Sequence, residues 1–128
     1  MISLMKKELT SLFVGGNKPS ETVILSRYRH ANSGIASKRE MCGMSIVECA
    51  DISDISGNAL NYFTAQSFKG LESNIVFYID VDGFTSSRDR MLNYVAMSRA
   101  KILLYVFYKK DIKSEYLEIS IESHEKFA

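Results

Sequence analysis

Much that commonly betrays a function is missing from this 128-residue chain. It has no tryptophan, one proline, two histidines and two cysteines. No histidine stands at zinc-ligand spacing from Cys42 or Cys49, and two thiols make no disulfide framework, so free thiols in a reducing compartment are expected. The longest apolar run, Ile102 to Phe107 with Tyr108, is far shorter than the roughly 18 residues a membrane span needs. The opening residues, with Lys6, Lys7 and Glu8, lack the basic-then-apolar order of a signal peptide. These absences predict a cytoplasmic protein with no membrane partner. No Ser/His/Asp or Cys/His set has a hydrolase-like spacing. No Gly-x-x-x-x-Gly-Lys-Ser/Thr occurs either, so the loop that cradles nucleotide phosphates and supplies a magnesium-binding hydroxyl is absent.

What is present fits one soluble α/β domain. Apolar residues make up 46% and charged residues 24%, the balance of an ordinary globular protein. The length is that of a single domain, read here over residues 1–128, with a leading helix and loop over 1–21 and an acidic tail over 109–128. Net charge is +1, which forces neither a nucleic-acid nor a membrane reading. Its distribution is uneven: residues 1–110 carry fourteen Lys/Arg against ten Asp/Glu, and the last eighteen carry two against five.

Hydrophobic periodicity then places the elements. Ile2, Met5, Leu9, Leu12 and Phe13 recur at helical spacing before Gly15 and Gly16, so residues 2–14 read as an amphipathic helix with a glycine stop. Thr22 to Ser26 and Ile75 to Ile79 are short apolar runs of buried strands. Ser45 to Cys49, Leu60 to Thr64 and Ile102 to Tyr108 are further strands, and a short helix is expected near Ser33 to Lys38. Thr85, Ser86 and Ser87 offer N-caps for a helix that runs to Ala100 with Leu92, Val95 and Ala96 on one side. Leu117, Ile119 and Ile121 alternate with polar residues, as on an edge strand. Strands and helices alternate, which predicts a mostly parallel sheet flanked by helices. In such sheets ligands bind at the carboxyl ends of the strands. The segments after Leu25, Phe63, Ile79 and Phe107 are therefore the places to look.

Two segments carry a chemical signal. The first is Thr64 to Glu72 (TAQSFKGLE), which precedes the Ile75 strand. Gly70 lets backbone approach a ligand closely, Lys69 and Glu72 suit an anionic or hydroxylated one, and Thr64, Gln66 and Ser67 supply neutral hydrogen-bonding groups. An ordinary turn with a positive-φ glycine and solvated Lys69 and Glu72 would use the same residues. The second is Arg90 to Ala100 (RMLNYVAMSRA), which precedes the Ile102 strand. There Arg99 either complements a helix C-terminus or, flanked by the small Ala96 and Ala100, meets a phosphate from outside the domain.

In this order and spacing the two segments resemble motifs V and VI of superfamily 1 helicases of the UvrD/Rep type, in their C-terminal ATP-binding domain. Thr64, Lys69, Gly70, Leu71 and Glu72 fit motif V, with Gln66 where histidine is usual. Leu92, Tyr94, Val95, Ala96, Ser98, Arg99 and Ala100 fit motif VI. Thr22 to Arg27 is similar to the strand that opens this family's second RecA-like domain, so the resemblance spans about residues 20–108. It implies a RecA-like, P-loop NTPase-like second helicase domain without its own phosphate loop. ATP with Mg²⁺ would be bound mainly by an N-terminal RecA-like motor domain, in the same or another chain. Arg99 would be the arginine that reaches the γ-phosphate, and Glu72 would contact ribose with Gly70 and Lys69 beside it. Thr64, Gln66 and Ser67, with Arg27, would line a single-stranded DNA path. Only 36 residues lie between Arg27 and Thr64, too few for the large helical insertion of fuller members.

Other residues have plainer readings. Asp80 and Asp82 mimic a magnesium-binding strand end, but without a phosphate loop they are expected to cap the strand, leaving no metal site. Arg29 and His30 could join Arg27 on DNA phosphates or form a solvated loop. Arg88 stands eleven residues before Arg99, close to three helical turns, so the two could share a face. Tyr62 and Tyr94 could stack on bases, although core packing with the hydroxyl at the rim is the expected fate of both. A rival reading is a free-standing, non-enzymatic module derived from a helicase half that docks DNA or a protein. The Met1 start and the missing phosphate loop fit it.

Overall fold

The computed structural model describes residues 1–81, 87–108 and 115–120, with residues 87–89 and 115–120 described through their backbone. Helix α1 (Ile2–Val14) leads into β1 (Thr22–Ser26), followed by the short hairpin strands β2 (Glu40–Met41) and β3 (Met44–Glu48). Then come β4 (Leu60–Thr64), β5 (Ser73–Val81), α2 (Ser87–Met97), β6 (Ala100–Tyr108) and β7 (Glu115–Ser120). The sheet order is β2-β3-β4-β1-β5-β6-β7. The five central strands are parallel, and each edge strand pairs antiparallel with its neighbour. This is the α/β, mostly parallel architecture expected, with the tail strand at the edge.

Side-chain alternation sends each strand's residues to two separate cores. Ile24, Tyr62, Ile75, Phe77, Tyr105 and Phe107 pack beneath Met5, Leu9 and Leu12 of α1. Phe77 stacks on Tyr105 with ring centroids 4.5 Å apart. Val23, Leu25, Phe63, Val76, Tyr78 and Val106 face the other way, against Ala96 of α2 and Phe68. Burial on both faces explains why β1 and β5 read as continuous apolar runs rather than alternating ones.

The structure differs from the sequence expectation between Arg27 and Gly43. The helix expected near Ser33 to Lys38 is replaced by a 3₁₀ turn at His30–Asn32 and a series of tight turns. Ser33 Oγ donates to the His30 carbonyl at 2.8 Å and accepts from the Ile35 amide at 3.3 Å, local bonds that compete with helix. Cys42 and Gly43 both take positive φ, 55° and 78°, which closes the β2–β3 hairpin. Helix α2 stops at Met97 rather than Ala100, because Ala100 already pairs with Ser73 in the sheet. The expected caps Thr85 and Ser86 lie outside the described residues, as do Asp82, Ile121, His124 and the side chain of Arg88.

Candidate functional site

The chain must cross from one end of the sheet to the other between β4 and β5, because both run parallel to β1. That crossing, residues 65–72, is the first of the two signal segments. It starts beside Ser26, whose carbonyl accepts from the Ala65 amide at 2.8 Å. Thr64 Oγ1 then accepts from the Ser67 amide at 3.1 Å, and the two hydroxyls lie 2.8 Å apart. Phe68 is buried against Phe63, with centroids 4.9 Å apart, and anchors the turn. Gln66, Ser67 and Lys69 are left exposed around that anchor. Gly70 takes φ 82°, where any side chain would be strained, so the glycine is needed for conformation rather than for space.

Two clefts flank this turn at the carboxyl end of the sheet. One, of about 540 Å³, is lined by Arg27, Gln66 and Lys69 together with Met91, Leu92 and Val95 of α2. The other, of about 370 Å³, brings Thr64 and Ser67 together with Arg29, Glu48, Cys49 and Asp54. The arginines after β1 thus straddle the turn, one on each side. Lys69 belongs with Arg27 and Gln66, not with Glu72. Arg27 also lies over the Tyr28 ring, 5.8 Å from its centroid.

Glu72 and Arg99 are at the opposite, amino end of the strands, not at the carboxyl ends where the fold class predicted ligand chemistry. The Ser73 amide donates to the Arg99 carbonyl at 2.9 Å, and Glu72 pairs with Lys101 at 3.9 Å. Arg99 is half-buried, and its Nε is buried with no hydrogen-bond partner among the described residues. No carboxylate of the described residues pairs with it. Arg99 also lies beyond the last helical residue, so a shared helical face with Arg88 is not what positions it.

The two tyrosines separate. Tyr62 is fully buried, with its hydroxyl donating to the Tyr28 carbonyl at 2.6 Å and its ring edge-on to His30. Burial raises its pKa above the usual tyrosine range. Tyr94, expected in the core, is instead 74% exposed, next to Met91 at 71%. Its motif neighbours Ala96 and Asn93 take the buried side of α2, and the 3.6-residue period then turns Tyr94 outward. Asp80 is buried and held by Ser26 and Gly34. Among the described residues no group of three His, Cys, Asp or Glu could hold a metal ion. Lys101 was not singled out by the sequence, and Asp80 was read only as a strand cap that mimics a magnesium-binding strand end. Lys101 follows the motif arginine by two positions, and Asp80 ends an apolar strand, which were the only signals available.

A mostly parallel sheet covered by a helix on each face, with its two signal segments split between the two ends, defines an α/β domain of the RecA-like kind. Residues 61–107, from β4 through β6, match the model of the UvrD-like helicase C-terminal domain. Over this stretch, which is less than half of the chain, the protein is similar to the C-terminal domain of UvrD-like helicases. No curated protein gives a significant match to the chain. Among the described residues, no helix is long and apolar enough to cross a membrane.

Proposed function

We propose that this chain forms the second RecA-like half of an ATP-dependent superfamily 1 DNA helicase or translocase. It would close over ATP and Mg²⁺ held mainly by a motor half that carries the phosphate-binding loop. The reading rests above all on Arg99, a half-buried guanidinium with an orphaned Nε and no carboxylate partner among the described residues. Those residues fit one side of a nucleotide: a cation for the terminal phosphate and, beside it, the exposed Glu72 for ribose hydroxyls. The chain has no phosphate cradle of its own and would not hydrolyse ATP alone.

The carboxyl end supports the second half of the proposal. Thr64, Gln66, Ser67 and Arg27, with Lys69 and Arg29 added by the clefts, supply cations and hydroxyls suited to the phosphates of a single strand. Strand β5 connects the ends, starting beside Arg99 and finishing beside Ser26. A shift of Arg99 on closure would therefore be felt at the strand path.

The test is Arg99→Ala in the chain assembled with its motor half. An arginine finger contributes roughly 10³ to 10⁵ in turnover. DNA-stimulated ATP hydrolysis should fall by that order while nucleotide affinity changes little. Turnover close to that of the unsubstituted protein would defeat the reading. Tight oligonucleotide binding with no motor half present would favour a free-standing binding module instead.

A further inference from the structure

A single carboxylate ties down both ends of the basic segment. Asp80 Oδ2 accepts from Ser26 Oγ at 2.7 Å, and the same Ser26 oxygen accepts from the Tyr28 amide at 3.1 Å. The Gly34 amide donates to both Asp80 oxygens, at 3.0 and 3.2 Å. The residues between these ties include Arg27, Arg29 and His30. A Cβ on Gly34 would come within 2.7 Å of Asp80 Oδ1, so the backbone approaches the carboxylate as closely as a glycine allows. Tyr62 adds a third tie through the Tyr28 carbonyl.

Asp80 is a costly residue at this place. It has φ 61°, the left-handed region that side-chain-bearing residues rarely adopt, at a register shift near the end of β5. It is also 4% exposed, a burial that a carboxylate tolerates only when it is bonded. Glycine would make the same bend without either cost. What the carboxylate adds is its grip on residues 26–34, and hence the placement of one arginine on each side of the Thr64–Lys69 turn. Strain and buried charge persist where the surroundings hold them for a purpose.

We infer that Asp80 is a positioning residue for single-stranded DNA: it fixes the Arg27–Gly34 segment so that Arg27 and Arg29 meet strand phosphates from the two clefts. The inference rests on the strand path proposed above. It assigns Asp80 no contact with DNA and no metal.

The experiment measures binding of fluorescein-labelled oligo(dT) to the full chain by anisotropy at low salt. Asp80→Gly, which relieves the backbone and removes the grip, should weaken binding about tenfold. Asp80→Asn tolerates the same φ and keeps one acceptor oxygen, so it should recover part of the loss. With Arg27→Ala and Arg29→Ala already present, Asp80→Gly should add less than about twofold, because both changes act through the same contacts. Equal losses with and without the arginines would mean a merely structural carboxylate and overturn the inference. So would binding by Asp80→Gly within twofold of the unsubstituted chain while the arginine variant is weak, and that result would leave the strand path standing. An arginine variant that binds like the unsubstituted chain would instead overturn the strand path itself. Should Asp80→Gly not fold, Ser26→Ala removes one of the two ties made by the carboxylate and is read by the same comparisons.

Discussion

The backbone amide of Ser73 donates to the carbonyl oxygen of Arg99 at 2.9 Å. This one bond joins the residue after Glu72 to the arginine of the second signal segment, although 26 positions separate them in sequence. It fixes the backbone of Arg99 at the amino end of the sheet, while its Nε has no hydrogen-bond partner among the described residues.

Arg99 should therefore matter little to stability. Its Nε is already an unsatisfied buried donor, so removing the side chain relieves a desolvation cost rather than breaking a bond. Arg99→Ala is expected to keep the urea midpoint within about 0.5 kcal/mol of the unsubstituted chain, or to raise it. A loss above about 2 kcal/mol, the size expected for a buried structural pair, would show that the guanidinium holds the fold together instead.

Gly34 makes the opposite prediction. A methyl group there would lie 2.5 Å from Met1 Cε and 2.7 Å from Asp80 Oδ1; that oxygen accepts from the Gly34 amide itself, and the other carboxylate oxygen accepts from Ser26. Gly34→Ala is expected to destabilise by about 1 to 3 kcal/mol through overpacking. Thermal unfolding monitored by circular dichroism measures it. An unchanged midpoint would mean that the Asp80 grip is looser than its distances indicate.

Alkaline pH should expose the burial of Tyr62. Desolvation holds its hydroxyl protonated above the usual tyrosine range, with hydrogen bonding from Ser26 and Ser33 opposing in part. An unfolded tyrosine ionises near pH 10, roughly, so above that pH the unfolded chain binds fewer protons than the folded one and stability falls as pH rises. The contribution is fully present below that pH and is lost as pH climbs through the folded value. Tyr62→Phe should cost about 1 kcal/mol at neutral pH through the bond to the Tyr28 carbonyl and should flatten part of the alkaline decline. Urea titrations from neutral to strongly alkaline pH compare the slopes. Tyr108, whose pKa burial also raises, supplies part of the remaining slope.

The two thiols should separate kinetically. Cys49 is 4% exposed, and burial first, then the charge of Asp54, pushes its pKa above the ordinary thiol value. Thiolate is the reactive form, so Cys49 should label slowly at neutral pH. Cys42 is only partly buried, in the hairpin turn against Thr10 and Lys6 of α1. Titration with a disulfide reagent should show one fast and one slow thiol in the folded chain and two fast ones in urea. Cys42→Ser should remove the fast phase.

Helix α2 carries a further contrast. Met91 and Tyr94 are exposed and touch little of the core, so each change to alanine should shift stability by under about 0.5 kcal/mol. Phe77 is fully buried and stacked between Tyr105 and Phe107. Its change to alanine should cost about 3 to 5 kcal/mol. Chemical denaturation of the three variants decides whether the outward face of α2 is free of structural duty.

Local pattern was a good guide wherever one strong period acted alone. The helix over residues 2–14 and the strands at Thr22 to Ser26 and Leu60 to Thr64 are legible because each has one apolar pattern and a clear stop. The segment Arg27 to Gly43 was not, because its conformation is set by partners far away in sequence: Asp80 for Gly34 and Glu48 for His30. Tyr94 misled for a related reason. A tyrosine inside a motif among apolar residues suggests burial, but helix phase turns it outward once Ala96 and Asn93 take the inner face.

Sequence by itself determined the class of sheet, the position of most strands, the two signal segments and the absence of a phosphate-binding loop, because these depend on short-range pattern and residue chemistry. Only the tertiary structure decided which signal residues meet. Parallel strands force a crossing between Thr64 and Ser73, so that crossing carries Glu72 away from Thr64 to the far end, and sheet pairing sets it beside Arg99. The bulge at Asp80 likewise turns a strand-ending acid into the clamp of a loop more than forty residues earlier. Neither relation is written in the order of the residues. Both arise from which backbone atoms the sheet brings within hydrogen-bonding distance.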